Sequence, residues 1–160
     1  SDQLHHYLAQ AFSGLQDNGI LVFNVFGGSK NIQSGITRCR VKPQPRLPGE
    51  PTFPEFDYAW EVRSYELSRR RLDCRIHFAV PNVEVRGRTQ EMQDAFQYDW
   101  RLWTVPELID ACKQSGYSDV QVWRHTFDPS KGVAGVFLGR IEPDSVLALD
   151  DWSVYVIACR

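Results

Sequence analysis

The sequence predicts an α/β fold, and three stretches carry that expectation. Residues 1–26 read as an amphipathic helix, a turn and an apolar strand. Residues 104–124 read as a capped helix and another strand, and residues 152–159 as a closing strand. Helices alternating with strands in this way pack onto a sheet. Between the first pair and the second lies a β-rich stretch, expected to form an inserted antiparallel sheet. The chain has 160 residues, 42% hydrophobic and 24% charged. Such a chain buries a real core without metal or disulfides. It is expected to be a single domain over 1–160, with helix and strand at 1–28, a connection at 29–55, the insert at 56–101 and the closing elements at 102–160.

The first helix rests on Leu4, Leu8, Ala11, Phe12 and Leu15, which recur at helical spacing. Asp17-Asn18-Gly19 ends it with turn residues. The run ILVFNVF at 20–26 is apolar at almost every position, the mark of a strand covered on both faces and usually parallel to its neighbours. Gly27 and Gly28 stop it. Residues 29–55 hold Pro43, Pro45, Pro48, Pro51 and Pro54 with little periodicity and read as a long connection.

Alternation then takes over. Phe56, Tyr58, Trp60 and Val62 share one face against Asp57, Glu61 and Arg63, and Leu72, Cys74, Ile76, Phe78 and Val80 oppose Asp73, Arg75 and His77. The turn at 67–71 joins them as a hairpin, which residues 83–88 extend. Phe96, Tyr98 and Trp100 mark a further strand. Thr104-Val105-Pro106-Glu107 is a capping box with proline where the early N–H groups need no partner. Leu108, Ile109 and Cys112 give the helix its apolar stripe, and Gly116 suits its left-handed end. A strand follows at 118–124, then a loop at 125–151 with a short apolar run at 133–138, then WSVYVIAC.

The net charge of -2 argues against a nucleic-acid partner, since phosphate binding leaves a basic footprint. Arg69-Arg70-Arg71 reads as a solvated hairpin tip. Cys39, Cys74, Cys112 and Cys159 lack the spacing of a zinc or redox motif. They are expected to be buried free thiols, as in a reducing cytoplasm. No signal peptide is legible, and no apolar stretch is long enough to span a bilayer. No metal ligand set is expected.

Three strings in order resemble the C-terminal half of class I, Rossmann-like S-adenosylmethionine-dependent methyltransferases. FSGLQDNGILVFNVF is similar to the family's L-x-x-G-G-x-L-V-F-D run into the fifth strand, with Asn18 at the first of the paired glycines and Asn24 at the aspartate. YDWRLWTVPELIDACKQSGYSDVQVW resembles the stretch R-x-W/Y-S/T-x-x-E-L/I-x-x-x-x-x-x-A-G-F/Y-x-x-V through the sixth strand. WSVYVIACR resembles the closing strand. The resemblance implies that strands 20–26, 118–124 and 152–159 are the fifth, the sixth and an antiparallel seventh slotted between them. DYAWEVRSYELSRRRLDCRIHFAV then resembles the antiparallel insert that some small-molecule methyltransferases place over the substrate.

The family binds its cofactor with a strand, a Gly-rich turn and a helix, followed by an acid that holds the ribose. Nothing in the chain fits. Gly27-Gly28 leads into a Pro-rich stretch and not into a helix. S-adenosylmethionine is therefore implied for the full-length family protein, and binding by this chain alone is not expected. No cofactor-binding residue is assigned. A missing N-terminal half or partner chain is expected to supply that function, and the open edge of strand 20–26 is expected to pair with it or with a second copy in a homodimer.

Candidate substrate-binding residues are Asn24 and Phe26, toward the carboxyl end of the first strand, and Tyr98, Trp100, Arg101 and Trp103, ahead of the capped helix. The resemblance puts that second segment near the substrate cavity. Each has a plainer role as well. Asn24 can bond a neighbouring loop, and Tyr98 and Trp100 can be one face of a core strand. Arg101 can pair with Asp99 or Glu107. His77 is expected to be solvated, and His125 is a weak general-base candidate. No catalytic residue is assigned, because an activated sulfonium mainly requires alignment. Two other readings stay open. One is a non-catalytic binding or assembly module. The other is an unrelated α+β ligand-binding protein, in which strands 20–26, 118–124 and 152–159 would not be neighbours.

Overall fold

A computed structural model describes residues 2–42, 54–85, 88–127 and 136–160. Helix α1 (Asp2–Gly14) leads into β1 (Ile20–Gly27). Strands β2 (Gly35–Val41), β3 (Phe56–Glu66), β4 (Arg71–Val85) and β5 (Arg88–Arg101) follow. The chain continues with α2 (Val105–Gln114), β6 (Asp119–Phe127), β7 (Val136–Ile141) and β8 (Trp152–Cys159). The fold is mixed α/β with two four-stranded sheets. The chain divides into two compact units, one of Ser1–Asn31 with Leu102–Arg160 and one of Ile32–Arg101. No helix among the described residues is long and apolar enough to cross a membrane.

In the first unit the strand order is β1-β8-β6-β7. β8 is antiparallel to both β1 and β6, so those two run parallel with β8 between them. Alternation sets which face is covered. Trp152, Val154, Val156 and Ala158 of β8 are buried, and Val25, Phe23 and Leu21 of β1 stand opposite the last three of these. Both helices pack on this face. Leu8 from α1 joins Ala111 and Cys112 from α2, Tyr117 and Ala158 in one cluster, while Val105, Val122, Val146, Trp152 and Val154 form another. Each fully buried aliphatic side chain of this kind contributes about 1.5–3 kcal/mol. The Tyr117 hydroxyl stays satisfied by donating to Leu8 O at 3.2 Å. The capping box forms as the sequence implies. Glu107 N–H donates to Thr104 Oγ1 at 3.4 Å, and Thr104 N–H donates to Glu107 Oε2 at 2.9 Å.

β1 is an edge strand, antiparallel to β8, with no strand on its other side among the described residues, and it departs from expectation in how its faces are covered. Only one face is covered where two were expected, for Ile20 and Val22 are 54% and 46% exposed. An apolar run of seven residues does not distinguish a doubly covered strand from one whose outer face stays open. The expected loop at 125–151 is also shorter, because β6 continues to Phe127 and pairs with β7, with Val122 opposite Ile141 and His125 opposite Leu138. The expected apolar run at 133–138 lies partly outside the described residues.

The second unit is an antiparallel sheet in the order β2-β3-β4-β5. β2 places a strand within the long connection expected at 29–55. Its residues Ile36 to Arg40 are all exposed, so it carries none of the periodic burial that marks a strand in sequence, and it is held by pairing with β3. Residues 43–53 of that connection lie outside the described residues. One sheet face is aromatic. Tyr58, Trp60, Phe78, Phe96, Tyr98 and Trp100 pack edge-on or tilted, apart from the parallel Phe96 and Tyr98 rings, with the Tyr98 and Trp100 centroids 4.3 Å apart. Leu72 and Cys74 lie fully buried on the same side. The other face is polar.

The cysteines are all free, and only two are buried as expected. Cys74 and Cys112 are buried, and burial pushes both thiols up to about 11. Cys39 is exposed and Cys159 half-buried, because they fall on the uncovered faces of β2 and β8.

Candidate functional site

The polar face of the second unit is shaped by two breaks in the strand ladder. Between Val62 and Ser64 the β3–β4 register slips, leaving Arg63 as an extra residue. Between Ile76 and Phe78 of β4 the facing strand runs from Phe96 to Met92, so three residues stand opposite His77. Asp94 lies in that bulge with φ of 51°, a left-handed conformation that aspartate tolerates better than most residues. Bulges free side chains from the pleat and re-aim them. Here they turn Arg63 and Asp94 toward one another beside His77.

The result is a four-residue cluster. His77 Nδ1 accepts the Asp94 N–H at 3.0 Å, which leaves the ring proton on Nε2, 3.1 Å from Glu61 Oε2. Arg63 Nε donates to Glu61 Oε2 at 3.1 Å, and its Nη2 donates to both Asp94 oxygens at 2.8 and 3.0 Å. The Arg63 guanidinium holds the Glu61 carboxyl below the usual carboxylate range, with His77 helping against desolvation. The two carboxylates in turn raise Arg63. His77 was expected to be solvated, yet its side chain is only 12% exposed. The bulge folds Asp94 over it, which strict alternation cannot reveal.

Glu61, His77 and Asp94 each offer one ligand atom within 4.8 Å of the others, a spacing that a metal ion can use. Arg63 already bonds both carboxylates, and the His77 Nδ1 lone pair is taken by a backbone N–H. A dication would have to displace the guanidinium first. The cluster is instead one wall of a depression of about 430 Å³, whose lining includes Arg38, Asp57, Ala59, Ala79 and Glu91.

The six residues singled out from sequence fall into two groups. Asn24, Phe26 and Trp103 belong to the first unit, and Tyr98, Trp100 and Arg101 to the second. Asn24 Nδ2 donates to Ser153 Oγ and Val154 O, both at 3.0 Å, so its amide is engaged with β8. Phe26 and Trp103 are half-buried. Tyr98 and Trp100 belong to the aromatic face and lean on Trp60 at 6.1 and 6.0 Å. Arg101 is exposed at the end of β5. Asp99 bonds Arg71 at 2.8 Å, and Glu107 closes the helix cap. His125 is exposed, its ring edge-on to Tyr155 at 5.4 Å.

The turn after β1, where an α/β sheet presents ligands, is closed by its own bonds. Ser29 Oγ donates to Asp150 Oδ1 at 2.8 Å, and Asn31 Nδ2 donates to Gly27 O and Asp151 Oδ1 at 2.8 Å each. Gly28 has φ of 109°, and a Cβ there would run into Asp150 O, while one on Gly27 would enter the Trp152 ring. The glycine pair permits this close packing and leaves no open cradle. No protein-family model matches the chain, and no characterised protein aligns significantly with it.

The sequence search missed Arg63, Asp94 and the role of Glu61 and His77. One trace was present. Apolar positions run 56, 58, 60, 62 and then resume at Tyr65, a change of phase that marks the bulge in β3.

Proposed function

We propose that this chain is the substrate-side part of an S-adenosylmethionine-dependent methyltransferase acting on a small molecule. One observation carries the reading. β8 lies antiparallel between two mutually parallel strands, β1 and β6, and each of those follows a helix. That is the order the sequence resemblance implies for a fifth, seventh and sixth strand of a Rossmann-like methyltransferase sheet. The antiparallel second unit falls in the chain between β1 and α2, where a substrate-covering insert is expected.

In this reading the cofactor is held by residues outside this sequence, and the open edge of β1 is where the next strand pairs. A missing N-terminal half or a partner chain would supply it. The chain's own residues would bind and orient the acceptor, with Tyr98, Trp100 and Arg101 the candidates in the second unit, or Asn24, Phe26 and Trp103 the candidates in the first. The free thiols suit a reducing cytoplasm, and the net charge of -2 suits a small-molecule partner better than nucleic acid.

A second reading is a non-catalytic binding or oligomerisation module derived from such an enzyme. The same edge favours it, because β1 is uncharged and shows Ile20 and Val22 to solvent, a pattern that invites pairing with a second copy.

Amide NMR spectra with a panel of phenols, amines and carboxylic acids test the first reading. The expected result is that at least one acceptor class moves peaks of one of these two groups of candidates. No movement with any class, or movement that avoids all six, overturns it.

A further inference from the structure

The charges around the polar depression are not all spent within the protein. Arg40 is paired with Asp57 and Glu55, and Arg63 with Glu61 and Asp94. Arg38 has no acidic partner among the described residues. Glu91 accepts there only from Gln93 Nε2, at 3.3 Å. These two belong to the outer strands, Arg38 on β2 and Glu91 on β5, with β3 and β4 between them. Their backbones are thus roughly 15 Å apart, about three strand spacings. Both side chains line the same depression, and the residues beneath are short. Ala59 stands opposite Arg38, and Ala79 opposite Glu91.

An unpaired cation and an unpaired anion thus face each other across the methyl groups of Ala59 and Ala79, with His77 and Asp57 beside them. We propose that this depression binds a small zwitterion, its carboxylate held by Arg38 and its protonated amine by Glu91. A guanidinium presents a planar fork that matches a carboxylate. Asp57, Glu61 and Asp94 are occupied by arginines, which leaves Glu91 to meet the amine. A simple anion would face this acidic rim, and a simple amine would leave Arg38 unmatched. The separation of the two charges selects a ligand whose ends are several bonds apart. The inference does not depend on the methyltransferase reading, since neither cofactor nor turnover enters it.

Titration of the chain with ε-aminocaproate, followed by amide NMR, tests the proposal. Peaks of Arg38, Ala59, Ala79 and Glu91 are expected to move together. Acetate and butylamine, each half of the ligand, are expected to bind about tenfold or more weakly. Arg38→Glu and Glu91→Arg are each expected to weaken ε-aminocaproate by a similar factor. The double reversal is expected to restore binding, because a zwitterion fits the swapped charges in the opposite sense. No movement in the unaltered chain overturns the proposal. So does movement that survives both single reversals, or a double reversal that recovers nothing.

Discussion

The two sheets of this protein are built from similar strands and held by different forces. In the first unit a pair of helices covers one sheet face, and Leu8, Val122, Val154, Val156 and Ala158 lie at 1% exposure or less. In the second unit Ala59, Val62, Leu72 and Cys74 are the buried apolar residues among those described. One face there is a layer of half-exposed aromatic rings. The other is laced by Arg40 with Asp57, Arg63 with Glu61 and Asp94, and Arg71 with Asp99. Apolar burial is large and tolerant of salt, whereas exposed ion pairs contribute little each and weaken with screening. The second unit therefore depends on cooperation among polar contacts that the first does not need.

The largest expected effect lies in the first unit. Leu8→Ala removes a side chain from the junction of α1, α2 and β8, and is expected to cost about 2–5 kcal/mol in urea unfolding. A loss under 1 kcal/mol would mean that α1 is not part of the cooperative core. In the second unit the comparable position is polar. His77→Ala leaves the Asp94 N–H without its acceptor, and is expected to cost about 1–3 kcal/mol. Amide exchange should locate that loss in β4 and β5. Uniform loosening of both units would break the contrast.

A third variant isolates local signal from tertiary packing. Thr104→Ala removes one arm of the capping box and is expected to cost about 1 kcal/mol, with faster exchange in the first turn of α2. The smallest effect expected is a dependence on pH. Glu61 and Asp99 have folded-state values below their unfolded ones, Glu61 through Arg63 and Asp99 through Arg71. Their contribution is therefore present above the ordinary carboxylate range, about pH 4, and is lost as pH falls through the depressed values. Acid unfolding should begin in the second unit, and Glu61→Gln should make its stability less sensitive to acid. An unchanged acid profile would show that Arg63 contributes nothing through Glu61.

The same contrast explains what could be read from the sequence. α1, α2 and β8 announce themselves because burial on one side imposes a period, as with Leu4, Leu8 and Phe12, or Trp152, Val154 and Val156. The capping box at Thr104 and Glu107 is local and was equally legible. β2 was not, since Ile36, Arg38 and Arg40 are all exposed and only pairing with β3 makes the segment a strand. The open outer face of β1 was hidden for the opposite reason, as Ile20 and Val22 look like core residues without being covered. The candidate site was the least legible part. It depends on two bulges, and no periodic pattern states that Asp94 will turn back over His77.

If, as proposed, the chain supplies the substrate side of a methyltransferase, the cofactor is left to other residues. Calorimetric titration of the 160-residue chain with S-adenosylmethionine, then with S-adenosylhomocysteine, tests it most directly. No heat of binding is expected from either. Micromolar binding of either would overturn that reading and would place a cofactor site within these 160 residues.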